Sequence, residues 1–201
     1  MLILAYFILF ILSFILSSLG APTWSLVLLF ILFALSHLIK QFYPILFEKN
    51  VNKILAFLQK SKHKQYQFTY HFMQGEIDEA EKTLKQIKPQ SLQTISAIML
   101  LAKQKQYNEA KNLLPNLKDN EFKWYYGAML SLKLKELEPY KDYKARVKNP
   151  INRSWLEMEE LLSDGKKSEV LVLLDRQIET LRGLKLLSAH AYRQEITQEA
   201  D

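Results

Sequence analysis

Hydrophobic side chains fill the first part of the chain almost without interruption. The run over residues 2–19 is broken only by three serines, and a second apolar run covers residues 24–39. Each run approaches the roughly 20 residues that a helix needs to cross about 30 Å of hydrocarbon. Gly-Ala-Pro at positions 20–22 is an uncharged turn signal between them. This pattern predicts a hairpin of two antiparallel transmembrane helices within residues 1–44.

We call residues 1–44 the apolar head. Three other interpretations of this segment compete with the transmembrane hairpin. A cleaved signal peptide would begin with a basic segment, and a second apolar run would not follow it at once. A re-entrant or interfacial hairpin stays open because the run over residues 24–39 is short for a full span. A buried hairpin in a soluble protein would require a partner that covers nearly forty apolar residues.

Lysines indicate the orientation of this hairpin. The first charged side chain is Lys40, and five further lysines follow by position 64 against the single acid Glu48. The turn at positions 20–23 has no basic residue, so the positive-inside bias predicts two spans in the cell (inner or plasma) membrane with both termini cytoplasmic. We expect Lys40, Lys49 and Lys53 to lie at the membrane surface, where anionic headgroups attract them. Alternatively, these lysines only set the topology.

After the head, apolar positions recur at helical spacing and with a period of thirty residues. Gly-Glu-Ile-Asp-Glu-Ala at residues 75–80 returns as Lys-Gln-Tyr-Asn-Glu-Ala at residues 105–110, and the same step reaches Lys135 and Gly165. Breaker clusters at 88–90, 118–120 and 148–150 fall between the units. The pattern predicts an all-α domain over residues 45–194 with four helix-turn-helix units. Six side chains are placed to cap these helices: Ser91, Asn120 and Ser154 for first helices, and Asp78, Asn108 and Ser168 for second helices.

Two partial units flank the four. Residues 48–58 take the place of a preceding second helix, and residues 184–194 take the place of a fifth first helix, which we interpret as a capping helix. Residues 195–201 show no apolar face, so we expect a frayed C-terminal tail.

Residues 74–80 and 104–110 resemble the turn and second helix of tetratricopeptide repeats. In that family a glycine at the turn, an aromatic or aliphatic residue two positions later, and Glu-Ala opening the second helix recur. The resemblance covers roughly residues 65–178; the fourth unit matches in part, and the third has Tyr140 where the small alanine is expected. The period is thirty residues rather than the family's thirty-four. A membrane hairpin before such repeats is similar to several bacterial tetratricopeptide membrane proteins.

The resemblance implies an α-solenoid whose first helices line a concave groove for a protein partner. The family's groove positions fall here on Gln65, Thr69, Phe72, Ile95, Met99, Ala102, Tyr125, Met129, Leu132, Trp155, Glu159 and Leu162. Among them we expect Met99, Tyr125, Met129 and Trp155 to bind the partner, with Lys103 and Lys133 at the rim facing acidic groups. The alternative is that these rings belong to the core. Residues 124–126, Trp-Tyr-Tyr, cannot all point one way, so we expect at least one exposed ring.

Composition narrows the remaining chemistry. The chain lacks cysteine, its four histidines are scattered, and no nucleotide-binding or hydrolase motif occurs. We therefore expect neither an enzyme nor a cofactor or metal site, and we interpret the acidic run at 157–164 as a solvated helix face. The net charge is +6, but lysines and glutamates are interspersed, which disfavours nucleic-acid binding.

Together these observations predict a membrane-anchored helical-repeat adaptor or scaffold. Its expected partners are the lipid bilayer and a protein, with possible assembly with other membrane proteins. The alternative is an accessory subunit of a membrane complex whose hairpin makes the main contact. A third option, an enzyme or lipid-handling protein at the bilayer surface, has no residue set that supports it.

Overall fold

A computed structural model of the protein describes residues 2–198, apart from the side chains at positions 2–6, 8, 9, 37 and 41. Over that range the chain forms twelve α-helices and one short 3-10 helix and no strand. The predicted all-α class is confirmed. The helices are α1 Leu2–Ser18, α2 Thr23–Leu46, α3 Val51–Lys60, α4 Lys64–Gln74, α5 Ile77–Leu84, α6 Gln90–Lys103, α7 Tyr107–Asn112, the 3-10 turn Leu114–Asn116, α8 Glu121–Lys133, α9 Leu137–Arg146, α10 Pro150–Ser163, α11 Lys167–Thr180 and α12 Gly183–Gln198.

The chain divides into two compact units, Met1–Glu48 and Lys49–Asp201. In the N-terminal unit α1 and α2 pack against each other. A turn at Gly20 joins them, because its φ of 71° lets the amides of Gly20 and Ala21 bond back to the carbonyls of Ser17 and Leu16, at 3.1 and 3.0 Å. The second helix continues seven residues beyond the predicted end at Ile39, since nothing breaks it until Phe47 and Pro44 falls in its last turn.

One helix in the described part of the chain is long and apolar enough to cross a membrane. Its 18-residue window is Thr23–Lys40, none of which is buried inside the protein. The 17 residues of α1 extend only about 25 Å, whereas the 24 residues of α2 extend about 36 Å. The described part of the chain thus contains one candidate span where the sequence predicted two, because α1 is too short at 17 residues. Length and composition of this kind also occur in signal sequences and in core helices.

Four left-handed residues organise the second unit. Gly75, Lys105, Lys135 and Gly165 have φ of 74°, 61°, 61° and 76°, and they occupy the four predicted turn positions. In each turn the left-handed residue donates its amide to the carbonyl three positions back, and the next residue donates to the carbonyl five positions before itself, at 2.8–3.2 Å. This pair of bonds ends the first helix and starts the second.

Replacing Lys135 with glycine is expected to raise the free energy of unfolding by about 1 kcal/mol, because a left-handed backbone is strained for any residue with a Cβ atom. The matched reverse change is Gly165→Ala, which should lower it by a similar amount: an added Cβ there meets nothing within 4 Å, so only the backbone responds. Urea unfolding of the full chain in detergent micelles, followed by circular dichroism, measures both. Equal stability of Lys135→Gly and the wild type would contradict the assignment of strain.

Buried residues follow the same thirty-residue step. Phe68, Ile98, Ala128 and Met158 on the first helices are all fully buried. Across from them on the second helices lie Ala80, Ala110, Tyr140 and Val170, of which only Tyr140 has measurable exposure, 6%. Three units therefore pair a large first-helix side chain with a smaller second-helix one.

The third unit reverses that order. Ala128 is small, and Tyr140 is large and belongs to the same buried cluster as Ala128. Helices α8 and α9 also approach closely, since a Cβ at Gly127 would lie 2.7 Å from the ring of Tyr143. The divergence at Tyr140 is thus compensated in volume by small residues on α8.

Helix starts agree with only part of the capping prediction. Asn120 caps α8 as predicted, through bonds to the amides of Phe122 and Lys123. Asn149 rather than Ser154 caps α10, and α6 begins after Pro89, so Ser154 and Ser91 lie inside their helices. In each breaker cluster, a residue that separates two helices also begins the next one. The next helix therefore starts before Ser91 and Ser154 are reached. The second helices begin directly after the turns without a side-chain cap, and Asp78, Asn108 and Ser168 are each the second residue of a helix.

The last helix closes the second unit. The helices α3 to α12 follow one another as a row. Helix α12 packs against α11 and also against α3 and α4 at the other end of this row. In an open stack of repeats each unit contacts only its neighbours, whereas here the first and last helices meet. The prediction of a frayed tail from residue 195 starts the tail too early: residues 195–198 continue α12, and Ile196 is 3% exposed. Residues 199–201 lie outside the described part.

Candidate binding cavity

Where the first and last helices meet, the inner face of the second unit forms a cavity of about 620 Å³ that is partly open to solvent. Side chains from α4, α6, α8, α10 and α12 line it, and its volume falls in the range typical of ligand sites. All six residues that the sequence assigned to partner binding lie on its wall: Met99, Lys103, Tyr125, Met129, Lys133 and Trp155. Phe72, Ala102, Glu159 and Leu162 of the wider predicted groove also line it, whereas Gln65, Thr69, Ile95 and Leu132 do not.

The cluster of three rings on α8 is less exposed than predicted. Trp124, Tyr125 and Tyr126 are all partly buried, so the prediction of an exposed ring is wrong. Helix α8 contacts α6, α9 and α10, and each ring has a neighbour to pack against. Trp124 and Tyr125 lie against the cluster around Ala128, and Tyr126 lies edge-on to Tyr125 with ring centroids 5.2 Å apart.

Both lysines of the predicted rim already have carboxylate partners in this chain. Lys103 Nζ lies 2.6 Å from Glu195 Oε2 and 5.9 Å from the centre of the Phe72 ring. Lys133 Nζ lies 2.5 Å from Glu159 Oε2. Acidic groups do meet these lysines, as the sequence suggested for a partner, but the groups belong to α10 and α12.

The acidic run on α10 is therefore not a solvated face throughout. The Glu159 side chain is only 13% exposed because it lies on the cavity wall beside Lys133. Glu160 accepts bonds from the Tyr140 hydroxyl at 2.6 Å and from Lys144 Nζ at 2.7 Å. Burial alone would raise the pKa of the Glu160 carboxyl, but these two donors outweigh it and hold the pKa below its usual range.

Helix α12 contributes the residues that the sequence did not assign to the site. The Tyr192 ring stacks on Trp155, with centroids 5.6 Å apart and planes 23° apart, and its hydroxyl donates to Glu159 Oε1 at 2.7 Å. Nine lining residues lie on α12, and most of them, including those at 184, 188, 191, 192 and 195, share one face of the helix. The helical spacing of these residues can be recognised in the sequence. The predicted helix ends at residue 194, however, so it leaves out Glu195 and Ile196.

Four tyrosines on or beside the cavity are held in the neutral form. Burial raises the pKa of Tyr125, Tyr126, Tyr140 and Tyr192 above its ordinary value. Nearby carboxylates add to this shift: Glu159 for Tyr125 and Tyr192, and Glu160 for Tyr140. Each phenol is therefore neutral at neutral pH and can donate a hydrogen bond.

The stability of the second unit is expected to fall as the pH rises above about 10. A tyrosine whose pKa is raised by folding contributes its full stabilisation below pH ~10 and loses it as the unfolded state ionises. Each tyrosine that ionises only on unfolding subtracts about 1.4 kcal/mol per pH unit. Absorbance at alkaline pH should show tyrosine ionisation coinciding with loss of the helical circular dichroism signal, and Tyr140→Phe should remove one phenol from that step. A gradual titration with the helices intact would contradict this.

None of the remaining predicted surface residues lines the cavity. Lys40 in α2, Lys49 before α3 and Lys53 in the first turn of α3 are all exposed. Within residues 2–198, no cluster of three or more histidines and carboxylates is arranged to hold a metal ion.

Comparison with known proteins returned no family model, no curated protein and no solved structure that matches this chain. The resemblance to tetratricopeptide repeats therefore rests on the turn and second-helix residues. Inferences about function rest on the cavity and on the apolar head.

Proposed function

We propose that this chain is a membrane-anchored helical-repeat scaffold that binds a protein partner at the cytoplasmic face of a cell membrane. In this proposal residues 1–44 form the membrane hairpin and the helices of residues 45–194 form a short-period, tetratricopeptide-like α-solenoid. The partner contacts the inner face of the first helices.

The observation that carries the proposal is the convergence of the predicted contact residues on one cavity. Met99, Tyr125, Met129 and Trp155 come from three different helices and share its wall with Lys103 and Lys133. Tyrosine and tryptophan are the side chains that most often anchor protein interfaces, and methionine adapts to irregular partners. The wall is only partly buried, so these side chains are not fully used by the protein's own core.

The exposed apolar surface of the N-terminal unit supports the membrane anchor. Phe10 and Phe14 of α1 and Trp24 of α2 are 67–69% exposed, and most described side chains of both helices are also exposed and apolar. An apolar patch of this size marks a lipid or protein contact. The lysines that follow, with none in the turn between α1 and α2, support the cytoplasmic placement of both termini.

Affinity capture from cross-linked membranes, with mass spectrometry, tests the proposal. The full-length chain with Tyr125→Ala and Met129→Ala should recover at least tenfold less partner than the wild type. The matched control carries Phe122→Ala and Leu137→Ala, two apolar side chains that are 54% and 66% exposed and do not line the cavity. Circular dichroism checks that both variants remain helical. Equal loss in the two variants would contradict a cavity-based contact.

Exchange of the head separates this function from the accessory-subunit alternative. A chain whose residues 1–48 are replaced by an unrelated membrane hairpin should still capture the partner if the second unit makes the contact. Loss of the partner in that chimera, with capture unaffected by the cavity variants, would favour contact through the hairpin.

Topology can be tested independently because the chain has no cysteine. A single Thr23→Cys substitution places a thiol at the start of α2, next to the proposed external turn. Membrane-impermeant maleimide should label it from outside intact cells. Labelling only after the cytoplasmic side is opened would overturn the proposed orientation.

A further inference from the structure

The C-terminal half of α12 already occupies the inner face that the proposed function assigns to a partner. Three of its side chains make the contact: Tyr192 stacks on Trp155 and donates to Glu159, Glu195 pairs with Lys103, and Ile196 is buried. These residues stand at i, i+3 and i+4, so they project from one side of the helix.

The two halves of α12 are held differently. The N-terminal half buries Leu186, Leu187 and Ala189 and is anchored like any core helix. Between residues 190 and 198, Ile196 is the only buried side chain. The rest of the attachment there is one ring stack, one hydroxyl hydrogen bond and two partly solvent-exposed ion pairs, Lys103–Glu195 and Arg193–Asp175. Segments with few buried apolar contacts open at low free energy.

The C-terminal half of α12 also leaves the site incompletely filled. Protein cores pack at the density of organic crystals, with few voids larger than a water molecule, but about 620 Å³ remains open beside this helix. The indole Nε1 of Trp155, on the cavity wall, is buried and has no hydrogen-bond partner among the described residues. The inner face thus offers more apolar surface and one more donor than α12 uses.

We propose that the C-terminal half of α12 is an internal stand-in for a helix of the partner, which displaces it. The partner helix presents an aromatic residue, an acidic residue and an aliphatic residue at i, i+3 and i+4. This inference rests on the proposed function and adds the chemistry of the partner and a built-in competitor for it.

The chemistry of the wall selects that helix. An aromatic ring can stack on the face of Trp155, and Glu159 can accept a hydrogen bond from a hydroxyl or an indole N–H. Lys103 can pair with a carboxylate. A helix is favoured over an extended peptide because the α12 residues that contact these three wall residues, Tyr192 and Glu195, are three positions apart and lie on one helical face. A partner side chain larger than Tyr192 would extend into the open volume.

A peptide corresponding to residues 183–198 tests the stand-in directly. The assay measures fluorescence anisotropy of the labelled peptide with the full-length chain in detergent micelles. The wild-type chain should bind it weakly, because its own α12 competes at high effective concentration. A Glu195→Lys chain should bind the same peptide at least tenfold more tightly, because its own helix now faces Lys103 with a like charge.

Matched controls establish that the gain depends on these contacts. A peptide that itself carries lysine at position 195 should not bind the Glu195→Lys chain. A His190→Ala chain, altered at an exposed residue of the same helix, should bind like the wild type. Tyr192→Phe, which removes only the hydroxyl bond to Glu159, should give a smaller gain than Glu195→Lys and keeps the test valid if the charge reversal unfolds the domain.

The outcomes are distinguishable from those of the proposed function. Absence of any gain in both Glu195→Lys and Tyr192→Phe, or equal binding of the two peptides, would overturn the stand-in. If partner capture from membranes still depends on Tyr125 and Met129 in that case, the partner uses the cavity in another way and only this inference fails.

Discussion

Replacing Tyr140 with alanine is expected to lower the free energy of unfolding by about 3–5 kcal/mol, the range for deleting a buried aromatic side chain. Tyr140 is 6% exposed, packs with Ala128 and Leu156, and donates its hydroxyl to Glu160 at 2.6 Å. The loss therefore combines a cavity with a broken charge-assisted hydrogen bond. Urea unfolding of the full chain in detergent micelles, followed by circular dichroism, gives the value.

Filling the space from the opposite helix should recover part of that loss. Alone, Ala128→Met should cost about 1–3 kcal/mol, because the site is already filled by Tyr140. In the Tyr140→Ala background the same change should instead raise stability by about 1–2 kcal/mol, since it restores the large-and-small order of the other units. Simple addition of the two losses would show that Ala128 and Tyr140 do not share one volume.

Phe68→Ala is expected to have a comparable effect at the opposite end of the row. Phe68 is fully buried against Ala80, Ile87 and Leu100, and its ring stacks on Phe72 with centroids 5.8 Å apart. We expect a loss of about 3–5 kcal/mol in the same unfolding measurement.

The control for Phe68 is the same substitution on the surface. Phe122 lies at the start of α8 and is 54% exposed, so Phe122→Ala should change stability by less than about 1 kcal/mol. Similar losses at the two positions would mean that Phe68 does not lie in the core described above.

Much of the helical order could be predicted because it depends on local chemistry. Gly75 and Gly165 mark turns by their own conformational freedom, and the step of thirty residues transfers that assignment to Lys105 and Lys135, where no local signal exists. Helix starts were predicted less well, because a breaker such as Pro89 or Asn149 can itself begin the next helix.

Only the part of the candidate site that lies on the first helices was predicted, and the part on α12 was not. The first-helix positions that line the cavity follow from helical spacing and the family resemblance, and Met99, Tyr125 and Trp155 were found in that way. Glu195 could not be found as the partner of Lys103, because 92 positions separate them and no periodic pattern links them. The partial burial of all three rings at 124–126 likewise depends on how many helices surround α8.

The sequence by itself determined the all-α class, the four turns and the rows of buried residues, since these follow from spacing along the chain and from bonds between residues three to five positions apart. Only the tertiary structure decided that α12 reaches α3 and α4, that Ala128 makes room for Tyr140, and that both rim lysines are paired within the chain. These features depend on how far each helix turns relative to the next, and small rotations summed over many helices decide whether the two ends of the row meet.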